Sequence, residues 1–341
     1  METPNPTNMQ KVLVLGAGSW GATLAHLLAE KGHNVRLWSR HTENADRLGR
    51  ERTLPGKLSD FHINGEVTIG SDLESLCEGA NLILFAVPSK HLREIAHQAQ
   101  EVAQKHLSEK PIVVTASKGL EVGSLKRMSE ILAEEFNSGS PVALSGPSHA
   151  EEVCAGLPTT VVAASENLEA AEQVQQLFMT PRFRVYTSQD TLGVELGGAL
   201  KNVMAIATGA ATAMGLGDNT LAGLVTRGLA EISRLGVAMG AQPLTFAGLS
   251  GLGDLVVTCT SDHSRNRRLG MELAGGATLE EAVQRIGMVV EGVETARSVE
   301  ALKGRYGVEM PISTQVARVL FDGMPVADAV QSLMLRDPKP E

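Results

Sequence analysis

Lys201 stands in Glu195-Leu196-Gly197-Gly198-Ala199-Leu200-Lys201-Asn202-Val203, a run of small and apolar residues with helical character. A lysine buried there loses its proton more readily than at its ordinary pKa of about 10.4. The neutral amine is a workable general base, and the ammonium a general acid; the alternative is a lysine that snorkels out of a buried helix. Asn202, roughly 100° further round a helix, either reaches a ligand hydroxyl or bonds inside the core. Asp254 follows Gly251 and Gly253, which let the backbone bring it close to a ligand. Near Lys201 its carboxylate would hold the amine charged or orient it; otherwise it caps the next helix. Ser264-Arg265-Asn266, at an expected helix start, offers a hydroxyl, a guanidinium and an amide beside a positive helix end, which suits a phosphate dianion. With Arg267 and Arg268 following, the same residues also read as a capped, exposed basic helix. Lys118 follows the apolar run from Ile112 to Val114, and Gly146 and Ser148 follow another. Open α/β sheets bind ligands beyond such strand ends, although Ser148 can also be a turn residue.

A second group of residues suits a dinucleotide. Gly16-Ala17-Gly18-Ser19-Trp20-Gly21 comes straight after an apolar run and opens a helical stretch, the context that a G-x-G-x-x-G turn needs. Gly16 permits the tight turn, Gly18 a close backbone approach to pyrophosphate, and Gly21 close helix–sheet packing. The helix start then presents free N–H groups to phosphate. The next apolar run ends in Leu37-Trp38-Ser39-Arg40-His41, with no acid in place for an adenosine ribose 2′-hydroxyl. Arg40 suits the 2′-phosphate of NADP, so NADP(H) is the expected cofactor, with NAD(H) tolerated; the alternative is a solvated surface cation.

These residues need two kinds of scaffold. Val12–Leu15, Val35–Trp38, Leu82–Val87, Ile112–Thr115, Val142–Leu144 and Thr160–Ala163 are short apolar runs without alternation, which suits strands covered on both faces. Helical stretches between them give a parallel, Rossmann-type α/β sheet. The pattern changes near Val185 to Gln189. A long helix through Glu195, Lys201 and Ala207 follows, capped by Asp190 or Ser188. Further helices are expected at Leu221–Met239, Arg265–Ala274, Leu279–Ile286, Glu294–Tyr306, Ile312–Phe321 and Pro325–Met334. The expected division is a dinucleotide domain over 1–190 and an all-α catalytic domain over 191–341, with a frayed tail from Arg336.

The chain has 341 residues and a net charge of −9, which opposes a nucleic-acid or anionic-membrane footprint. Only 3% of residues are aromatic, too few for base-stacking platforms. Cys77, Cys154 and Cys259 are widely spaced and suit reduced thiols rather than a disulfide framework. The histidines show no metal-ligand spacing, and no metal is expected. The start is polar and holds two prolines, unlike a signal peptide, and no apolar run is long enough to span a membrane. The expected setting is cytoplasmic, and a homodimer is the base-rate expectation.

Val87-Pro88-Ser89, Ser117-Lys118-Gly119-Leu120-Glu121, Ser145-Gly146-Pro147-Ser148, the Glu195–Val203 stretch, Gly251-Leu252-Gly253-Asp254-Leu255, Ser264-Arg265-Asn266-Arg267 and Val290-Glu291-Gly292 follow one another in the chain. In this order and spacing the chain closely resembles the bacterial NAD(P)-dependent glycerol-3-phosphate dehydrogenases. The resemblance implies reversible hydride transfer between dihydroxyacetone phosphate and sn-glycerol 3-phosphate, for phospholipid synthesis. It implies Lys201 as the proton acceptor and donor, and Asp254 as a lining residue of the substrate site. Lys118 and Arg265 would touch both substrate and cofactor, Gly146 and Ser148 the substrate, and Ala150, Val289 and Glu291 the cofactor. Glu291 is otherwise a helix N-terminal acid. The family usually has Phe where this chain has His149, beside the cofactor. Two other readings stay open: a related reductase of a carboxylate substrate, of ketopantoate or β-hydroxyacid type, and a non-catalytic NADPH sensor.

Overall fold

The structure, a computed structural model, describes residues 9–56, 58–137 and 139–338. The polar N-terminal octapeptide and residues 339–341 of the expected frayed tail lie outside the described residues. Contacts divide the chain into two units. One holds the chain up to Ser117 together with Met128–Thr191; the other holds Lys118–Arg127 and the chain from Leu192 onward.

The first unit starts with β1 (Lys11–Leu15), α1 (Ser19–Glu30), β2 (Asn34–Trp38) and α2 (Thr42–Glu51). A small antiparallel pair, β3 (Thr53–Leu54) and β4 (Leu58–His62), precedes β5 (Thr68–Gly70) and α3 (Leu73–Cys77). Then come β6 (Leu82–Phe85), α4 (Leu92–His106), β7 (Ile112–Thr115), α5 (Met128–Phe136), β8 (Val142–Ser145), α6 (Ala150–Cys154), β9 (Thr159–Ala164), α7 (Leu168–Phe178) and β10 (Phe183–Ser188). The eight-stranded sheet has the order β10-β9-β8-β7-β6-β1-β2-β5. Strand β1 lies between β2 and β6, parallel to both. The central strands are buried because apolar clusters cover both sheet faces: Val12, Val14 and Leu84 point to one, Leu13, Leu15 and Phe85 to the other. This alternation within a wholly apolar run is the signature of a doubly covered sheet.

Two expectations need correcting. The sheet is not wholly parallel, because β9 runs antiparallel to β8 and carries β10 with it. The link from β8 to β9 holds only the five-residue α6, too short to carry the chain back along the sheet for another parallel strand. Strands β3, β4, β5 and β10 were not expected either. Strand β3 has two residues and β5 three, so neither offers a readable apolar run.

The second unit is helical: α8 (Thr191–Ala213), α9 (Gly217–Met239), α10 (Pro243–Ala247), α11 (Asp254–Thr260), α12 (Arg265–Ala274), α13 (Leu279–Ile286), α14 (Glu291–Tyr306), α15 (Pro311–Phe321) and α16 (Val326–Met334). Ser264 caps α12 by accepting the Arg267 N–H, and Thr278 with Glu281 forms a capping box on α13, as helix-start chemistry requires. Helix α9 starts earlier than expected, at Gly217, and α14 starts at Glu291. Helices α10 and α11 and the wide turn Leu249–Gly253 between them lie outside the expected helix ranges, although Asp254 was read as a possible helix cap. Among the described residues no helix is long and apolar enough to cross a membrane.

Helix α8 packs on α12 almost backbone to backbone. A Cβ at Gly209 would overlap the Arg267 carbonyl, and one at Gly270 the Ile206 carbonyl. This closeness, not helix propensity, explains glycine inside α8. Gly209→Ala should therefore destabilise the protein by about 1–3 kcal/mol, the usual cost of overpacking. Gly223→Ala, where an added Cβ meets nothing within 4 Å, should be neutral or stabilising by about 0.5–1 kcal/mol. Urea unfolding of both variants checks the contrast.

Candidate active site

In the helical unit four polar side chains converge. Lys201, on α8, is 7% exposed, and Asp254, the first residue of α11, is fully buried. The Lys201 ammonium donates to Asp254 Oδ1 and, at 2.7 Å, to Thr258 Oγ1. Asp254 Oδ2 accepts from Lys118 Nζ at 2.7 Å. Thr258 Oγ1 donates its only proton to the Asp254 carbonyl, 2.6 Å away, so towards Lys201 it can only accept. Asp254 and Thr258 sit four residues apart, on one face of α11. That spacing was available in the sequence, but Thr258 was not anticipated as a site residue.

This geometry defines what Lys201 can do. As the neutral amine it has two N–H protons, both directed, to Asp254 and Thr258, and its lone pair is left for a third partner. As the ammonium, the third proton takes the place of the lone pair. Burial pushes the Lys201 pKa down to about 7; Asp254 opposes that shift, and the nearby Lys118 cation adds to it. The group is thus balanced between donor and acceptor near neutrality, where proton transfer is most efficient.

The strand-end residue Lys118 reaches this cluster because residues 118–127 fold with the helical unit. Leu120 bridges Arg127 in antiparallel fashion, and Leu120 is buried in the helical core. Arg127 donates to Glu195 on α8 at 2.7 Å, in a largely buried ion pair. The segment is therefore fixed to α8 at one end and to Asp254 at the other.

The cluster at 264–266 divides by role. Ser264 is buried and spends its hydroxyl on capping α12. Asn266 is buried as well: its Nδ2 donates to Asn202 Oδ1 at 2.9 Å, and its Oδ1 accepts the Gly292 N–H at 2.9 Å. The two asparagines thus tie α8, α12 and the start of α14 together. Arg265, less buried, opens α12, has no acidic residue in its first turn, and donates to the exposed Val289 carbonyl at 2.9 Å. Glu291 opens α14 and lies two residues from Val289.

In the first unit the glycine turn has the properties a dinucleotide requires. Gly16 has φ +113°, and a Cβ there would overlap the Ala86 carbonyl. A Cβ at Gly21 would overlap the Gly16 carbonyl, whereas one at Gly18 meets only open space. Helix α1 begins with no side-chain cap and no acid in its first turn, and the Ser19 hydroxyl is buried without a partner among the described residues. Trp20 packs partly buried against the core beside the turn. Unsatisfied donors, an open backbone face and a positive helix end fit a pyrophosphate. Arg40 and His41 follow β2 and are exposed, and His41 precedes α2 without capping it through its side chain. Beyond β8, Gly146 has φ +130°, and its carbonyl accepts from Ser148 Oγ at 2.9 Å. His149 precedes α6, whose first residue, Ala150, is buried.

A lysine-selective NMR titration should show one Nζ losing its proton near pH 7. Asp254→Asn removes the charge that favours the ammonium, so the midpoint should move further down. An unchanged midpoint would contradict the coupling.

Family models described as NAD-dependent glycerol-3-phosphate dehydrogenase N-terminus and C-terminus match residues 11–171 and 190–331. Glycerol-3-phosphate dehydrogenase (NAD(P)+) of Pelotomaculum thermopropionicum is 51% identical over 96% of this chain and 93% of its own length. The same enzyme of Enterococcus faecalis is 50% identical over 97% of each chain. The crystal structure of Coxiella burnetii glycerol-3-phosphate dehydrogenase superposes with a TM-score of 0.92 at 39% identity, covering 96% of this chain and all of that one. Matches of this extent at both ends of the sequence mean that the chain belongs to the NAD-dependent glycerol-3-phosphate dehydrogenase family.

Proposed function

We propose that this chain interconverts dihydroxyacetone phosphate and sn-glycerol 3-phosphate with NADP(H) or NAD(H), and that Lys201 moves the proton. The observation that carries the reading is the buried Lys201 amine, held by Asp254 and Thr258 with one position left open. The nicotinamide supplies or accepts the hydride when bound. In the oxidative direction the neutral Lys201 amine takes the proton of the secondary hydroxyl. In the reductive direction its ammonium stabilises the developing alkoxide and then protonates it. Asp254 keeps the amine pointed, and Lys118, on the other carboxylate oxygen, balances the charge of Asp254.

Arg265 is proposed as the cation for the substrate phosphate and for the cofactor, with Val289 and Glu291 beside it. Ser264 and Asn266 serve that function through position, by starting α12 and by locking it to α8. Lys118, Gly146 and Ser148 are proposed as further substrate contacts. Gly16, Gly18, Ser19, Trp20 and Gly21 would hold the pyrophosphate, Arg40 and His41 the adenosine phosphate, and Ala150 the cofactor near His149. We place the functional division near residue 190, with Lys118–Arg127 acting with the helical part. A carboxylate substrate is disfavoured by the family match, and a cofactor sensor has no need of a lysine balanced near pH 7.

Lys201→Ala should cut turnover by about 10²- to 10⁴-fold, the usual weight of general acid–base catalysis, while NADPH binding, read by nicotinamide fluorescence, persists. Because the Lys201 pKa lies at about 7, oxidation, which needs the amine, should accelerate as pH rises through that value. Reduction, which needs the ammonium, should slow over the same range. Parallel pH profiles in the two directions would refute the assignment.

A further inference from the structure

Ser39-Arg40-His41, directly after β2, holds no acidic residue where a ribose-binding carboxylate is expected for NAD. The fold delivers one from elsewhere. Glu94, in the first turn of α4, faces Arg40: Oε1 accepts from Nη2 at 2.9 Å and Oε2 from Nη1 at 3.4 Å. The meeting follows from the strand order. Strands β2 and β6 flank β1, Arg40 follows β2, and α4 follows β6 after the short turn Ser89–His91. The pair therefore forms across the carboxyl end of β1, the place where Gly16–Gly21 turns into α1.

We propose that Glu94 sets the discrimination between NADP(H) and NAD(H) by competing with the 2′-phosphate for Arg40. This rests on the reading of Arg40 as the ligand of that phosphate. The carboxylate takes the end-on fork of the guanidinium, the same paired donors that a phosphate uses. A 2′-phosphate must displace Glu94 or bind next to its negative charge, and either lowers its advantage. A 2′-hydroxyl carries no charge and meets no such competition; with NAD(H) the Glu94 carboxylate remains available as an acceptor near the ribose. The side chains are 48% and 47% exposed, so the ion pair is weak enough for a cofactor to open it. The result is an arginine tuned towards dual cofactor use.

The test measures dissociation constants of NADPH and NADH by nicotinamide fluorescence for the native protein, Glu94→Gln, Arg40→Ala and the double variant. Glu94→Gln should improve NADPH binding relative to NADH by about two- to fivefold, the scale of an exposed ion pair. The improvement should vanish in the Arg40→Ala background, because it acts through Arg40. Retained NADH binding reports an intact dinucleotide turn in each variant. If Arg40→Ala weakens NADPH selectively but Glu94→Gln leaves the ratio as it was, the role of Glu94 is overturned. If Arg40→Ala leaves the ratio unchanged, the reading of Arg40 itself fails, and the inference with it.

Discussion

The helical unit is organised around one buried electrostatic arrangement, the carboxylate of Asp254 between the ammonium groups of Lys201 and Lys118. Charges removed from water are tolerated only when they are paired and their remaining hydrogen-bonding capacity is met. Asp254 meets that condition with an amine on each oxygen, and Thr258 gives Lys201 a neutral second acceptor. The arrangement leaves Lys201 enclosed enough for its pKa to fall to about 7 and oriented enough to act on a single partner. A more exposed lysine would keep its proton, and a buried one without Asp254 would scarcely hold it.

Much of the surrounding structure serves to hold that arrangement. Helix α8 meets α12 at glycine contacts that admit no side chain, and Asn202 with Asn266 fixes their register. The spacing between Lys201 and Arg265 is thereby set by backbone packing rather than by flexible side chains. The Arg127–Glu195 pair anchors the segment that carries Lys118. Specificity in the first unit has a different physical basis. There the proposed binding elements are backbone N–H groups, the start of α1 and glycines without side chains, with fixed charge at Arg40, which Glu94 holds in an ion pair.

Strand runs such as Val12–Leu15 and Ile112–Thr115, the glycine turn and the helices after residue 190 were legible in the sequence, because local periodicity and cap chemistry encode them. Lys201, Asp254, Lys118 and Arg265 were legible as chemistry, from residue type, small neighbours and glycine context. Less was readable where the determinant was non-local. The antiparallel β9, the pairing of β5 with β2, the membership of residues 118–127 in the helical unit and the bonding of Asn266 to Asn202 and Gly292 depend on partners distant in the chain, whereas β3 and β4 pair locally but are too short to read.

The sequence by itself therefore determined the groups on which the proposed chemistry rests, a lysine among small apolar residues and a glycine turn that opens a helix, since these follow from side-chain type and local conformation. Only the tertiary structure decided the state and company of those groups. The proton affinity of Lys201 depends on burial and on Asp254 and Lys118 meeting beside it, and the freedom of Arg40 depends on Glu94 arriving from α4. Desolvation and Coulomb interaction act through space, and the distances that govern them are set by folding, not by separation along the chain.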